Sequence, residues 1–257
     1  MGCIQSNKKK EVEVKPTSRS VQVKHHDSIK EFFLENCDQM PKRIKELYDR
    51  VLTSTSTEIT KIDLKFLNFA GKRLRPIEVI LPYFSHIVYL NLWKTSLGDS
   101  GCENLAPYFE KLTNLTYLSL ADNRITAVGT IHICSKFVFL QKLESLELHV
   151  NTLQVAGAIS LARSIFHLIS LKKVVLDECE IPKEAIEELL TALSKLKNLE
   201  RMSLDYNEIQ DSGAKLLLKL IPSMLSLKRI ALQNAGITTE VQDSLKTSFP
   251  HLLFSIA

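Results

Sequence analysis

The first ten residues, MGCIQSNKKK, hold the side chains whose types and spacing point most directly to chemistry. Gly2 followed by Ser6 fits the N-myristoylation pattern, in which Met1 is removed and an acyl chain is attached to the glycine amine. Cys3 supplies a thiol for palmitoylation. The cations that follow suit an anionic membrane surface, near which each lysine contributes about 1 kcal/mol. They are Lys8, Lys9 and Lys10.

This combination predicts membrane attachment. One myristoyl chain binds a bilayer with a constant on the order of 10⁴ M⁻¹, which is marginal, so a second acyl chain or a basic cluster is needed for long residence. We expect residues 1–26 to form a disordered, basic, acylated tail. The tail would hold the protein at the cytoplasmic face of the plasma membrane or of another membrane, with a cytosolic pool. An ordinary disordered N-terminus is the alternative. The opening resembles that of Src-family kinases and other dually acylated proteins.

The distribution of charge limits the remaining function classes. Residues 1–26 hold six basic and two acidic residues, whereas the rest of the chain holds 27 of each, so the net charge of +4 lies in the tail. The body therefore shows no bias toward nucleic acid. No apolar run reaches the length of a transmembrane helix, and no secretory signal is expected. The five scattered cysteines favour a reducing compartment over disulfides or zinc.

The tail precedes a repeat with a period of 28 residues. Segments such as LTYLSLADNRI at Leu115 and LERMSLDYNEI at Leu199 recur at six consecutive intervals of that length. We number the units 1–7 and count positions from the first residue of each. Positions 4 and 6 are apolar, which predicts a short strand with one inward face. Position 9 can bond backbone where the chain leaves the strand. The unit starts are 59, 87, 115, 143, 171, 199 and 227.

The second half of each unit has helical spacing. Apolar residues recur at positions 19, 23 and 26, and position 15 is small in units 2–6, which indicates close helix packing. Position 9 holds Asn123, Asn151, Cys179 and Asn207 in units 3–6. This pattern resembles the ribonuclease-inhibitor class of leucine-rich repeats, also seen in Ran GTPase-activating proteins. The predicted fold class is α/β, a leucine-rich repeat solenoid with a curved parallel β-sheet on the concave side and helices on the convex side.

Two helices are predicted before the repeats. Ser28-Ile-Lys-Glu31 fits a capping box, and Pro41 suits the first turn of a helix with Ile44, Leu47, Tyr48 and Val51 on its apolar face. We expect residues 27–58 to form a helical cap on the first unit. An amphipathic membrane helix is the rival interpretation. Residues 59–257 would form the solenoid, with seven units and a terminal strand.

One segment inside the repeats imitates a catalytic motif. Gly98-Asp-Ser-Gly101 spells the nucleophile motif of trypsin-like proteases. Asp211-Ser-Gly213 lies at the same repeat positions, so we interpret the aspartate and serine as helix N-caps and the glycine as a packing residue. No P-loop, zinc-protease or dinucleotide motif is present. We therefore expect no enzyme activity, no cofactor and no metal.

The sheet face that the helices leave open is the candidate binding site. Positions 3, 5, 7 and 8 of each unit are expected to face solvent there. Exposed aromatic side chains beside charges favour protein binding over a plain solvated face. The candidate residues are Tyr89, Trp93, Tyr117, Asp122, Glu147, His149, Asp177, Asp205, Arg201 and Arg229, with Glu178 in the same acidic centre.

The leading hypothesis is a non-enzymatic, membrane-tethered adaptor that binds a protein partner of unknown identity on this concave face. The tail would contact an anionic membrane surface, and no nucleic acid is expected as a partner. The resemblance to Ran GTPase-activating proteins suggests a regulator of a small GTPase as the alternative, although the long acidic tail of those proteins is absent. An inhibitor that wraps an enzyme, as ribonuclease inhibitor does, is a third hypothesis.

Overall fold

The computed structural model describes the backbone of residues 18–256 and the side chains of residues 27–256. Gly2, Cys3 and the three tail lysines lie outside the described residues. Contacts divide the chain into a first compact unit that ends at Gln39 and a second that begins at Met40. Within the described part, no helix is long and apolar enough to cross a membrane.

The first compact unit is helical. Helix α1 (Ser18–Asn36) is followed by a 3-10 helix (Cys37–Gln39). The prediction of a helix start at Ser28 is wrong, because α1 already begins at Ser18 and Ser28 lies inside it. At the other end, Asn36 Nδ2 donates a 2.8 Å hydrogen bond to the carbonyl of Phe32, one turn earlier.

The second compact unit contains one parallel sheet of eight short strands in chain order. The strands of units 1–6 each pair with the next strand through residues 28 apart, as Tyr89 does with Tyr117. The predicted terminal strand is confirmed, and its Leu253 pairs with Arg229. The strands are β1 (Lys61–Asp63), β2 (Tyr89–Asn91), β3 (Tyr117–Ser119), β4 (Ser145–Glu147), β5 (Lys173–Val175), β6 (Arg201–Ser203), β7 (Arg229–Ala231) and β8 (Leu253–Ser255).

Seven helices, α3–α9, follow strands β1–β7 and stack side by side. Helices are wider than the spacing of about 4.8 Å between strands, so the stack curves with the sheet on its concave side. Short 3-10 helices lead from most helices toward the next strand. The helices are α2 (Lys42–Leu52), α3 (Arg75–Ile80), α4 (Gly98–Leu105), α5 (Ala127–Cys134), α6 (Gln154–Ser164), α7 (Lys183–Leu193), α8 (Gln210–Leu220) and α9 (Thr239–Ser248).

The core lies between the sheet and the helices, where the repeat predicts it. Leu118 and Leu120, at positions 4 and 6 of unit 3, are fully buried. The helical positions behave in the same way, since Leu161, Ile165 and Leu168 of unit 4 are also fully buried. Each unit therefore buries apolar surface against its neighbours, which is what stabilises a repeat protein.

Buried asparagines join consecutive units, as predicted for position 9. Asn207 Oδ1 accepts hydrogen bonds from the amides of Cys179 and Ile181, while its Nδ2 donates to the carbonyls of Leu176 and Leu204. Asn123 and Asn151 make the equivalent bonds to units 2 and 3. Each asparagine thus satisfies backbone groups of the preceding unit, which would cost about 1–3 kcal/mol each if left unpaired.

The edge of β1 is covered within the second compact unit. The Arg43 guanidinium donates to the carbonyls of Asp63 (3.1 Å) and Lys65 (2.8 Å), which have no neighbouring strand on that side. Tyr48 donates its hydroxyl to the carbonyl of Pro76 at 2.9 Å. The predicted apolar face of α2 is buried at all four residues. Helix α2 therefore acts as the cap that an open sheet edge needs.

The protease-like segment performs a structural role that differs from the prediction. Asp99 does not cap its own helix, α4. Its Oδ1 instead accepts hydrogen bonds from the amides of Thr126 (2.8 Å) and Gly129 (3.0 Å) at the start of α5, one unit later. Asp211 accepts from the amide of Thr238 in the same way. A side chain on Gly129 would collide with the Asp99 carboxylate, which explains the glycine at position 15 of unit 3.

Candidate functional site

The open sheet face carries a row of stacked groups at position 3. The rings of Tyr89 and Tyr117 are parallel within 6°, with centroids 4.3 Å apart. The Lys61 ammonium lies 4.1 Å from the Tyr89 ring on the other side, so Tyr89 is held between a cation and a second ring. Both tyrosines are half-buried. Both faces of the Tyr89 ring and one face of the Tyr117 ring are therefore occupied within the chain.

A second aromatic cluster forms at the C-terminal end of the strands. Trp93 lies on the open face and is half-buried. Its ring is 5.0 Å from that of Phe66 in unit 1 and 6.5 Å from that of His149 in unit 4. Ala121 of unit 3 lies between Trp93 and His149 in the position 7 row and is fully buried. The Nδ1 atom of His149 is also buried and has no hydrogen-bond partner.

Part of the expected solvent-facing surface is buried. Asn91, Ser119 and Ala231, at position 5, are less than a tenth exposed, and Ala121 at position 7 is inaccessible. Asn91 also turns inward to bond locally, since its Nδ2 donates to the Tyr89 hydroxyl and its Oδ1 accepts from the Trp93 amide. The accessible face is therefore built from fewer residues than the strand alternation predicts.

The carboxylate of Glu147 is held by hydrogen bonds from two other side chains of the protein. Its carboxylate accepts 2.7 Å and 2.8 Å hydrogen bonds from Lys173 Nζ and the Tyr117 hydroxyl, and 14% of its side chain is exposed. Burial alone would raise the pKa of Glu147, but the bonds from Lys173 and Tyr117 and the nearby positive charge lower it below its ordinary value. Burial, followed by the bond to Glu147, raises the pKa of Tyr117. Glu147 therefore stays ionised and internally neutralised.

The other predicted acidic residues divide into two groups. Asp122 pairs with Lys94 at 3.3 Å. Asp177 and Asp205 each accept a backbone amide from the next unit, and within the described residues neither forms an ion pair. Burial, and then the charge of Asp177, raise the pKa of Asp205, although the Gln233 amide and Arg229 oppose this. Together with exposed Glu178, these two aspartates leave units 5 and 6 with negative charge.

The basic residues of this face lie at the opposite ends of the strands. Arg201 and Arg229 are exposed and pair across β6 and β7. Neither has an ion-pair partner among the residues that the structure describes. The open face is therefore aromatic in units 1–3. In units 5–7 it is acidic at the C-terminal ends of the strands and basic at their N-terminal ends.

Residues at position 8 contribute to the face through an unusual backbone. Phe66, Val150 and Tyr206 have φ of 65°, 56° and 58°, in the left-handed region that large side chains rarely adopt. Their side chains are 56%, 40% and 54% exposed. Phe66 is part of the aromatic cluster but was absent from the sequence-based candidates. A large apolar residue at a position that is otherwise charged in units 2, 3 and 5 is the signal that could have identified it.

No cluster of three or more potential metal ligands occurs in the part of the chain that the structure describes. Buried thiols are not activated either. Burial is the largest cause that raises the pKa of Cys134 to about 12, and burial also raises the pKa of Cys102 and Cys179. Asp99 is engaged in capping α5. The buried thiols and Asp99 therefore act as packing and capping groups in the part of the chain that the structure describes.

Known proteins share this architecture. Residues 111–134 and 195–218 match the family described as "Leucine Rich repeat", and the two matches begin 84 residues apart, which equals three repeat periods. No curated protein matches the chain by sequence. An internalin C2 structure from Listeria monocytogenes is 16% identical, covers 79% of this chain and 83% of its own, and has a TM-score of 0.51.

Two further solved structures are similar at lower scores. A leucine-rich repeat protein of Leptospira interrogans is 18% identical, with 78% of this chain and 55% of that chain covered and a TM-score of 0.48. Another internalin of Listeria monocytogenes is 19% identical, with 79% and 63% covered and a TM-score of 0.44. At such identities the likeness concerns the fold alone. The family match and the likeness to internalin C2 identify the repeats of this chain as leucine-rich repeats in a solenoid.

Proposed function

We propose that this leucine-rich repeat solenoid is a non-enzymatic adaptor that binds a protein partner on the open sheet face. The aromatic cluster of Phe66, Trp93 and His149 is the observation that carries the proposal. Phe66 is 56% exposed although it packs on Trp93, so aromatic area faces water. Aromatic side chains in this situation supply the largest losses of binding energy in alanine scans, because a partner covers them on association.

The charges of units 5–7 support a partner with complementary charge. Asp177, Glu178 and Asp205 form no ion pair among the described residues, and neither do Arg201 and Arg229. Charges that the chain does not neutralise itself are available to steer and orient a partner. The proposed contact begins on the aromatic cluster and extends across β5–β7.

The tail completes the proposal. Acylation of Gly2 and Cys3, together with Lys8, Lys9 and Lys10, would hold the adaptor at the cytoplasmic face of a membrane, with a cytosolic pool. Confinement to a membrane raises the effective concentration of the binding face for partners at the same surface. The sequence pattern alone supports this part of the proposal.

Substitution of the aromatic cluster tests the binding face. We expect Trp93→Ala and Phe66→Ala to leave the melting temperature nearly unchanged while weakening partner capture at least about tenfold, which corresponds to about 1.4 kcal/mol. Proximity labelling in cells, with each variant fused to the same ligase, identifies the partners and compares their yields. Leu225→Ala removes a 92% exposed apolar residue of unit 6 outside this face and is the matched control. If Trp93→Ala and wild type labelled the same partners at equal yield, the proposed face would be wrong.

A separate pair of variants tests the tail. Gly2→Ala should abolish incorporation of an alkyne-tagged myristate and shift the protein to the soluble fraction. Cys3→Ser should retain myristate yet shorten membrane residence, because one chain is marginal. Absence of myristate label from the wild-type protein would refute the anchor and leave the binding face untouched.

A further inference from the structure

An exposed apolar patch lies outside the open sheet face, where helices turn toward the next strand. It is formed by two consecutive units, 3 and 4, and we call it the turn patch. Its members are Val138 (40% exposed), Phe139 (38%), Phe166 (54%) and Ile169 (59%). These exposures are high for large apolar side chains.

The members of the turn patch are neighbours. Val138 and Phe166 are 28 residues apart and occupy position 24 of adjacent units. The 3-10 helices that carry them, Phe137–Phe139 and Ile165–His167, are in contact. Phe137 and Ile165 point inward and are fully buried. Each turn therefore supplies one apolar residue to the core and presents others to solvent.

The repeat does not require this exposure. Position 24 is Glu110 in unit 2 and Ser194 in unit 5, and position 25 is Lys111 and Lys195. The turns of those units bury the same inward residues without an apolar exterior, as Phe109 of unit 2 shows. Burial of the core thus explains the inward side chains only, and the outward ones of units 3 and 4 remain available for another purpose.

Lysines flank the turn patch on both sides. All of them are exposed, and none forms an ion pair with another described residue. The nearby Glu110 is already neutralised by Lys136 at 2.6 Å. The patch therefore has unpaired cations on both sides along the turns, whereas Glu184 and Glu187 of α7 lie beside Phe166 toward the helices. The flanking lysines are Lys111, Lys142, Lys195 and Lys197.

Hydrogen bonds fix the backbone beneath the patch. Asn198 Nδ2 donates to the carbonyl of Ile169 at 2.8 Å, which joins the turn of unit 4 to unit 5. Gln141 Nε2 donates to the carbonyl of Val138. Lys142 Nζ donates to Asn114 Oδ1 at 2.7 Å and so is oriented by unit 2. Because the turns are already ordered, docking through them costs little conformational entropy.

We propose that the turn patch docks the solenoid onto an anionic membrane surface. Phe139, Phe166 and Ile169 would enter the boundary between headgroups and acyl chains, and the flanking lysines would meet anionic headgroups. The features that favour a bilayer over an acidic protein are the large apolar side chains on adjacent tight turns and the cations on both sides. The acylation pattern of the tail points to the same surface but is independent of the patch.

Vesicle binding without an acyl chain tests the proposal. The full chain with Gly2→Ala is sedimented with vesicles of phosphatidylcholine containing about 30 mol% phosphatidylserine, and with pure phosphatidylcholine vesicles. We expect binding only to the anionic vesicles. Adding Phe139→Ser and Phe166→Ser should reduce the partition coefficient at least about tenfold, and Lys142→Glu with Lys197→Glu should do the same.

Two controls separate the patch from other surfaces. Leu225→Ser removes a 92% exposed residue from the turn of unit 6, outside the patch, and should bind like its Gly2→Ala parent. Trp93→Ala should also keep vesicle binding, so failure of the patch is distinct from failure of the sheet-face proposal. Each variant is compared with the parent by melting temperature to confirm that it folds.

Three outcomes would overturn the proposal. The first is equal vesicle binding by the parent and the double phenylalanine variant, with binding lost instead when Lys8, Lys9 and Lys10 are changed to glutamine. That result would assign membrane contact to the tail alone. The second is an equal loss of binding in Leu225→Ser. The third is no binding of the parent to anionic vesicles, which would leave an acidic protein as the occupant of the patch.

Discussion

Trp93 and His149 lie two strands apart, yet their ring centroids are 6.5 Å from each other. Adjacent strands are about 4.8 Å apart, so vertically aligned side chains would be separated by about 9.6 Å. The two rings lean together over Ala121, whose methyl group occupies the strand between them and is inaccessible to solvent. A small residue at one position thus shapes the aromatic cluster on both sides of it.

Ala121→Leu is expected to separate these rings. The larger side chain has no room beneath them, so we expect a loss of about 1–3 kcal/mol in unfolding free energy, with Trp93 pushed toward water. Trp93 is the only tryptophan, and its emission maximum should shift to longer wavelength. Gln233→Leu, at the same position of unit 7, should leave the emission unchanged. An unshifted emission spectrum for Ala121→Leu would contradict the packing of the Trp93 and His149 rings over Ala121.

Asp99→Ala is expected to lower the unfolding free energy of the protein. The variant loses the cap of α5, which typically costs about 0.5–2 kcal/mol. Thermal unfolding measures the change. Ser100→Ala is the matched control, because Ser100 is exposed and the cap is made by Asp99. Equal melting temperatures for the two variants would show that the bond between units 2 and 3 is not formed in solution.

Asn207→Leu is expected to lower the stability strongly. The substitution leaves the amides of Cys179 and Ile181 and the carbonyl of Leu176 without their partner, at about 1–3 kcal/mol for each buried group. Lys172→Gln breaks only a surface pair with Glu144 and should cost less than about 1 kcal/mol. Urea unfolding of both variants gives the comparison. A smaller loss for Asn207→Leu than for Lys172→Gln would contradict the asparagine ladder.

Glu147→Gln should change how stability depends on acidity. The folded-state pKa of Glu147 lies below its ordinary value of 4.5, so the unfolded chain takes up the proton first as pH falls. The stabilisation by Glu147 is therefore complete above that value and lost on acidification through the folded-state pKa. We expect wild type to exceed Glu147→Gln in unfolding free energy near neutral pH, with the gap narrowing below about pH 4.

Tyr117→Phe is the control for this pH effect. It removes one hydrogen bond to Glu147 but leaves the carboxylate paired with Lys173, so the variant should retain much of the acid dependence. Urea unfolding at a series of pH values compares the three proteins. A constant gap between wild type and Glu147→Gln across the series would mean that the carboxylate is not held as the geometry indicates.

The repeat explains which features of the fold were predictable. A period of 28 residues places Tyr89 beside Tyr117, because equal positions in successive units occupy equal places in the stack. It also places Asn207 in the turn after its strand, where it bonds the backbone of the preceding unit. Sequence patterns also identified the buried face of α2 and the terminal strand. These features depend only on periodicity and burial, which the sequence expresses directly.

The features that were missed depend on contacts between units. Asp99 caps the helix of the following unit rather than its own helix. Its place in the repeat is compatible with either role, so the sequence pattern does not distinguish them. Phe66 reaches Trp93 because its backbone adopts φ of 65°, which no residue preference of phenylalanine indicates. Glu147 is neutralised by Lys173, the residue at position 3 of the next unit. Side-chain direction decided each case, and a one-dimensional pattern does not contain it.

The thiol of Cys179 has a consequence for cooperativity. It donates one hydrogen bond, to the Leu148 carbonyl at 3.3 Å, where the asparagines of units 3, 4 and 6 make four or more. In a stack whose units contact only their neighbours, opening starts at the weakest junction. The junction between units 4 and 5 separates the aromatic strands from the acidic ones. The Glu147–Lys173 pair and the packing of α6 against α7 cross the same junction and offset the bonds that the thiol does not make, so a partner that covers both sides would reinforce contacts that already join units 4 and 5.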